Sequence, residues 1–243
     1  MGSKSRISKS IIPILLEYLE DGMIFIDTCV GGANIIDKIP KNIKCYGNDN
    51  NKYLIALYNG IKTRKDYPLE IPKDLYSRAR DEYNNGTNIE FDDFLIGWIG
   101  YMASANGRFF EGGYSGISNT KVGTSRNYVD ESIRGFLKQV PDLNEITFTN
   151  KNILDIKPKI KSLLYCDIPY KDTKQYATSK DFNYELFYQW CRDRSKEGHI
   201  VFISEYSMPN DFKCIWQQEV KSSLSANGVS GGNKVSIEKL FTF

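Results

Sequence analysis

Four short apolar runs limit what this chain can fold into. They are MIFID (23–27), KCYGND (44–49), SLLYCD (162–167) and HIVFIS (199–204). They are apolar runs more than alternating ones, as expected of strands covered on both faces. Helix-period segments lie among them. ISKSIIPILLEYLE (7–20) puts Ile7, Ile11, Ile12, Leu15, Leu16 and Leu19 on one face, with Pro13 expected in the first turn. NKYLIALYNGIK (51–62) and a segment near 183–196 also read as helices. A Gly-Gly turn after the first strand should lead into a short helix ending near Lys38. Strand, turn, helix, strand, helix is the pattern of a parallel α/β sheet.

The middle of the chain departs from this rhythm. Helices are expected at 73–84, 90–105 and 126–139. Between the last two, NGRFFEGGYSGISNTKVGTS (106–125) has the Gly, Ser and Asn content of a loop or hairpin. The α/β pattern resumes with EITFT (145–149). At the end, FKCIWQQEV and SIEKLFTF flank the glycine-rich NGVSGGNK and suggest an antiparallel hairpin. The expected architecture is a Rossmann-like α/β sheet built from residues 1–68 and 145–243, with 69–144 as an inserted region.

Composition narrows the function classes. The net charge of +2 announces no nucleic acid by itself, although a neutral total can hide a basic face. The five cysteines are scattered without a CxxC pair, and Cys45, Cys166 and Cys214 fall inside apolar runs. That pattern suits reduced, buried thiols in an intracellular protein. The single histidine, His199, stands at a strand edge, so a metal centre is not expected. No run is long enough to span a membrane and no signal peptide is visible, which points to the cytoplasm.

Three of the four apolar runs end in an acid. In FIDTCVGGANI (25–35), Asp27 precedes Gly31-Gly32, where the backbone can approach a ligand closely. The GxGxxG fingerprint is absent. Asp49 ends the second strand, 18 residues after Gly31, where an acid commonly takes ribose hydroxyls. Together these two features favour a nucleoside cofactor, either a nicotinamide dinucleotide or S-adenosylmethionine. The third strand end, Asp167-Ile168-Pro169-Tyr170, separates the two. An oxidoreductase has no use for it, whereas methylation of an exocyclic amine does. The lone pair of adenine N6 is delocalised into its ring. A carboxylate (Asp167) and a main-chain carbonyl (Ile168) can accept its two N–H bonds and free that pair. Pro169 stiffens the turn, and Tyr170 can stack on the base. Methylation at cytosine C5 would need a thiolate, typically within a Pro-Cys pair, and the chain has none.

On these stretches the chain resembles the Dam-type adenine-N6 DNA methyltransferases, especially the short forms of bacteriophages and mobile elements. The likeness covers nearly the whole chain in the family's order. MGSKSRISKSIIPIL resembles the N-terminal Gly-x-Lys segment, which implies that Lys4 lies near cofactor and active site. FIDTCVGGANI resembles the methionine-binding loop, placing Asp27, Cys29, Gly31 and Gly32 at the cofactor. YGNDNNKYLIAL resembles the ribose-binding segment with Asp49 as its acid. YCDIPY resembles the catalytic motif, with Asp167 also beside the cofactor, and GHIVFISEYSMP resembles the family's next strand and loop. Residues 69–144 correspond to the target-recognition region. There are departures. Ile168 replaces a commoner proline, Cys29 an aromatic, and Ala33 a further glycine. Asn152-Ile153 stands for an acid-aromatic pair around the cofactor's adenine. Met1 stands where an aromatic is usual.

The resemblance implies S-adenosylmethionine as cofactor and double-stranded DNA as partner, with the target adenine flipped out of the stack. Arg108 is the first candidate for a DNA contact and Arg126 the next, with Tyr114, Lys121 and Tyr176 after them. A cognate restriction enzyme is a candidate partner, and a monomer or weak dimer is expected. The alternative is a non-catalytic DNA-binding or decoy protein on the same fold.

Overall fold

The computed structural model describes residues 4–119, 123–171, 182–221 and 235–243. Among the described residues, seven strands form one twisted sheet. Strand β1 (Ile24–Asp27) lies inside it, parallel to β2 (Cys45–Asn48) on one side and to β6 (Ser162–Cys166) on the other. Strand β5 (Thr147–Thr149) extends the sheet beyond β2, and β7 (Ile200–Ser204) beyond β6, both parallel. The terminal hairpin of β8 (Lys213–Lys221) and β9 (Val235–Thr242) completes it, with β9 antiparallel to β7. The order is β5-β2-β1-β6-β7-β9-β8. It reverses direction between β1 and β6, so the loops leaving their carboxyl ends diverge and open a crevice there.

Six α-helices are described: α1 (Ser8–Glu17), α2 (Lys52–Gly60), α3 (Lys73–Asn85), α4 (Asp93–Ala103), α5 (Tyr128–Leu143) and α6 (Tyr184–Lys196). Side chains of Asn51, Asp92, Asn127 and Asn183 accept amide hydrogen bonds at the starts of α2, α4, α5 and α6, satisfying donors that the helix leaves orphaned. Helix α3 stops at Gly86, whose φ of 65° is left-handed. The expected hairpin after α4 is present as β3 (Ile117–Asn119) paired with β4 (Ser125–Asn127).

Helix α4 packs directly on α2. A Cβ at Gly97 would lie 2.1 Å from the Tyr53 carbonyl oxygen, so only glycine permits this approach. Trp98, fully buried beside it, donates its indole N–H to the Pro68 carbonyl at 2.8 Å. Apolar residues of region 69–144 (Tyr76, Phe94, Phe109, Phe110, Phe136) belong to the same buried cluster as Phe25 and Leu163 of the sheet. A second cluster on the other face joins Ile26, Leu164 and Ile203 to Phe187 and Trp190 of α6.

Four sequence expectations need correction. Pro13 lies well inside α1 rather than in its first turn, because the helix already starts at Ser8. Burial of Ile11 and Leu15 on either side offsets the lost hydrogen bond. The helix expected before Lys38 is only a 3₁₀ turn, Ile36–Lys38. Left-handed φ angles at Gly31 (45°) and Ala33 (54°) delay helical geometry until then. Helix α5 continues through Pro141 to Leu143, which is fully buried and holds the last turn. Cys214 is exposed on the edge strand β8; Cys45, Cys166 and Cys191 are the buried thiols.

Candidate active site

The three strand-end acids converge at the crevice. Asp27 closes β1, Asp167 comes directly after β6, and Asp49 directly after β2. Lys4, Asp27, Cys29, Gly31, Gly32 and Asp167 line one pocket, together with Asn34 and Tyr165. Lys4 comes to this lining from the 3₁₀ turn Lys4–Arg6 preceding α1.

Lys4 is the electrostatic centre. Its Nζ lies 3.0 Å from Asp167 Oδ1 and 3.4 Å from Glu238 Oε2. It also donates to the Tyr170 hydroxyl, and its ammonium sits 4.5 Å from the centroid of that ring. Burial works against the Lys4 charge, but Asp167 and Glu238 outweigh it and hold its pKa above the ordinary value. Burial pushes the Asp167 carboxyl up; Lys4 opposes this and Glu238 adds to it. Asp27 is fully buried, and its Oδ1 meets no hydrogen-bond partner among the described residues. Burial raises its pKa well above the usual carboxylate range, and the nearby Asp167 raises it further. A buried acceptor left unsatisfied at a pocket wall is suited to a ligand's ammonium group.

Asp49 is held by the glycine turn. Its Oδ2 accepts the Gly31 amide at 3.0 Å and its Oδ1 the Asn51 amide at 3.0 Å. Burial raises its pKa while those amides pull it back. Gly31 in turn offers its carbonyl to the Tyr58 hydroxyl at 2.6 Å. The neighbouring Asn48 is buried and ties three segments together. Its Nδ2 donates to the Thr28 and Lys151 carbonyls, and its Oδ1 accepts from the Lys151 amide and the Thr149 hydroxyl. Such a fully satisfied buried amide fixes the backbone on which Asp49 and the glycine loop stand.

The Asp-Ile-Pro-Tyr turn is anchored on both sides. Ile168 is buried in the α6-facing cluster, so only its main chain is available for chemistry. The Pro169 carbonyl accepts the Tyr184 hydroxyl at 2.8 Å. Glu205, buried just past β7, accepts the Lys171 amide at 3.1 Å and the Tyr206 amide at 2.6 Å. Burial pushes its pKa up to about 7 even so. Tyr206 sets its ring edge-on to Tyr170 at 4.5 Å.

Other expected site residues lie apart from this cluster. The exposed Asn152 caps the 3₁₀ turn Ile153–Asp155 by accepting the Leu154 amide at 3.0 Å. Ile153 is buried against the α6-facing core. Arg108 comes after the turn Ala105–Gly107 and ion-pairs with none of the described carboxylates. Arg126, on β4, is paired with Glu131, its Nε 2.9 Å from Oε1, and stacks over Tyr128. Tyr114 donates its hydroxyl to the Ile71 carbonyl at 2.7 Å and packs against Tyr76. Lys121 and Tyr176 lie outside the described residues, as do Gly2 and most of the 171–181 loop. Glu238, Glu205, Tyr206 and Asn48 escaped the sequence reading. Asn48 alone left a signal, as the residue before the strand-end acid.

Residues 1–209 match the family described as D12 class N6 adenine-specific DNA methyltransferase. The chain belongs to this family, a class of S-adenosylmethionine-dependent DNA methyltransferases. Comparison with curated proteins returns no match. Among solved structures the chain is similar to SMU.472, described as a methyltransferase complexed with SAH (14% identity, TM-score 0.41). That alignment covers 99% of this chain but 52% of SMU.472, so the chain spans about half its length. It is also similar to the methylase HI0767 from Haemophilus influenzae (9% identity, TM-score 0.33, covering 99% and 98% of the two chains). A third is an rRNA methylase from Streptococcus thermophilus (9%, TM-score 0.35, covering 100% and 97%). Among the described residues no helix is long and apolar enough to cross a membrane, and no group of His, Cys, Asp and Glu could hold a metal ion.

Proposed function

We propose that this chain methylates adenine N6 within a specific double-stranded DNA site, with Asp167 and the Ile168 carbonyl gripping the amine. The observation that carries the reading is the Lys4–Asp167 pair at the carboxyl edge of β6, beside a pocket with an unsatisfied buried carboxylate. The residues present fit the cofactor. Asp27 offers a free acceptor for the amino group of its methionine half. Gly31 and Gly32 allow close approach, and Asp49 serves the ribose. Asn152 offers hydrogen bonding and Ile153 apolar contact to the adenine. Bound S-adenosylmethionine supplies an electrophilic methyl on sulfur.

The chain's own residues then have separate tasks. Asp167 must be ionised to accept an N–H of the target. Lys4 keeps it so against burial, because it opposes the rise in the Asp167 pKa. The Ile168 carbonyl accepts the second N–H, drawing nitrogen toward tetrahedral geometry. Pro169 keeps that carbonyl fixed, and Tyr170 stacks on the flipped ring. This nitrogen would take the methyl group of bound cofactor, which leaves as the neutral thioether, and the proton lost by the nitrogen would pass to solvent.

Region 69–144 reads the target in this proposal, through Arg108 first, then Arg126, which Glu131 must release. Tyr114 supports the hairpin, and Lys121 and Tyr176 border the flipped base. The enzyme acts in the cytoplasm as a monomer or weak dimer, with or without a restriction partner.

Single-molecule sequencing of DNA from cells expressing the chain tests this. N6-methyladenine in one sequence context is expected, and its loss in Asp167→Ala. If 4-methylcytosine appears, the substrate assignment falls. If the chain neither modifies DNA nor binds S-adenosylmethionine in calorimetry, the non-catalytic reading replaces it.

A further inference from the structure

Glu238 lies on β9 of the terminal hairpin, beyond the residues 1–209 that carry the family match. Its carboxylate nevertheless reaches the centre of the site. Oε2 accepts the Tyr170 hydroxyl at 2.8 Å and lies 3.4 Å from Lys4 Nζ, while Oε1 lies 3.4 Å from the Tyr206 hydroxyl. The side chain is only 14% exposed. The strand that carries it is fixed on both edges. It pairs with β7 and with β8, where Glu238 stands opposite Gln218. Gln218 accepts the Ser10 hydroxyl of α1 at 3.0 Å, so the hairpin also grips the helix behind Lys4.

The arrangement gives Glu238 two tasks at once. Lys4 stands between two carboxylates, Asp167 and Glu238. Tyr170 has one hydroxyl, which accepts from Lys4 and donates to Glu238. That pair of bonds, with Tyr206 edge-on, fixes the plane of the ring. A stacking ring free to rotate about its Cβ would present a varying face to the base, and misplacement of about 1 Å costs up to about 100-fold in rate.

We propose that Glu238 is a positioning residue for methyl transfer, orienting Tyr170 against the target base and holding Lys4 on Asp167. The proposal rests on the function argued above. It gives the terminal hairpin a part in catalysis as well as in the sheet.

Removing the charge has a second consequence. The groups facing Asp167 are Lys4 from the N-terminal turn, Asp27 and Tyr165 from the sheet, Glu205 past β7, Tyr170, and Glu238 from β9. Glu238 raises the Asp167 pKa. Neutralising it moves the ionisation of Asp167, and the acid limb of activity, to lower pH.

The test compares Glu238→Gln and Glu238→Ala with the unmodified chain. Single-turnover transfer of labelled methyl from S-adenosylmethionine to plasmid DNA lacking N6-methyladenine is measured across pH. Glu238→Gln keeps an acceptor for Tyr170 but no charge; Glu238→Ala keeps neither. Expected are a transfer rate lowered by about 10- to 100-fold in Glu238→Ala, a smaller loss in Glu238→Gln, and an acid limb displaced downward in Glu238→Gln. The dissociation constant for S-adenosylmethionine should change by no more than about twofold in both.

A Glu238→Ala rate matching the unmodified chain overturns the proposal. So does a loss of rate in Glu238→Gln without displacement of the acid limb, which marks a merely structural residue. A readout independent of turnover is the ¹³C resonance of the Tyr170 ring, assigned with Tyr170→Phe. It should move in Glu238→Ala, and an unmoved resonance overturns the proposal even if Glu238→Ala is slow. An unmodified chain that transfers no methyl group counts against the proposed function, whereas the ring resonance still decides on Glu238.

Discussion

The carboxyl edge of the sheet and region 69–144 handle charge in opposite ways. At the edge, Lys4, Asp27, Asp49, Asp167 and Glu238 are buried or nearly so, and four of them have raised pKa values. In region 69–144, charges pair on the surface: Arg78 with Glu90, Arg134 with Asp130, Arg126 with Glu131. Its interior is instead aromatic, with Tyr76, Tyr83, Phe109 and Phe110 in mutual contact. Surface pairs contribute about 0–1 kcal/mol and can exchange partners readily. Buried charges are held in place because leaving one unpaired is expensive. The edge is therefore built for one fixed geometry, whereas the surface pairs of region 69–144 are only weakly held.

The largest effects should fall at the edge. Asp167→Ala removes the carboxylate that grips the amine, and turnover should fall by about 10²- to 10⁴-fold. Calorimetry should still detect S-adenosylmethionine, since Asp27, Asp49 and the glycine loop remain. Loss of cofactor binding together with turnover would show that Asp167 acts through cofactor binding rather than on the amine. The comparable change in region 69–144 acts through packing. In Gly97→Ala the new Cβ meets the Tyr53 carbonyl at 2.1 Å, so α4 must move off α2. A stability loss of about 1–3 kcal/mol is expected in urea unfolding. A neutral result would show that the α2–α4 contact is looser than the geometry gives.

Glu205 links the edge to pH. Its folded pKa of about 7 lies above the unfolded value of 4.5. The folded state therefore binds the proton more tightly than the unfolded state. The stability this contributes is fully present below about 4.5 and is lost as pH rises through about 7. Between pH 5 and 8 the unmodified chain should lose up to about 3 kcal/mol relative to Glu205→Gln in thermal or urea unfolding. Parallel curves would place Glu205 in wetter surroundings than its burial implies. At the other pole, Arg108→Ala should weaken DNA binding by about 1–3 kcal/mol. Against a panel of duplexes, uniform weakening with a shallower salt dependence would mark a phosphate contact, and relaxed preference at one base a reading contact.

The same contrast explains what the sequence made legible. Strands and helices were readable because buried strands and amphipathic helices carry their periods locally, and the three acids stood out by ending apolar runs. MIFID, SLLYCD and HIVFIS appear in the structure within a residue or so of their sequence limits. The Gly, Ser and Asn content of 106–125 suggests a loop or hairpin, and the structure forms the β3–β4 hairpin there. What stayed hidden depends on tertiary neighbours. Glu238 reads as one more polar residue on an alternating terminal strand, and its importance arises only where β9 folds against β7 beside Lys4. Tyr206 and Glu205 are hidden for the same reason. The true length of α5 was hidden because Pro141 argues locally for a stop, and only the buried Leu143 overrules it.

Ala33 gives the smallest effect and the finest test of how rigid the edge is. Its φ of 54° lies in the left-handed region, where a Cβ crowds the following carbonyl at a cost of about 1–2 kcal/mol. The resemblance places a glycine at this position, and the angle supplies the physical reason. Ala33 is fully buried, so its methyl group returns part of that cost by packing, and a glycine would add entropy to the unfolded chain. These terms nearly balance, and Ala33→Gly should stabilise by less than about 1 kcal/mol. The informative measurement is the S-adenosylmethionine dissociation constant in the same variant. Gly31, two residues earlier, is tied to Asp49 and to Tyr58. If those bonds fix the loop, the constant should stay within about twofold. If the methyl group of Ala33 is what fixes it, glycine will loosen the turn and weaken binding despite relieving strain. That result would move the source of rigidity from the hydrogen-bonded acids to the packing beneath them.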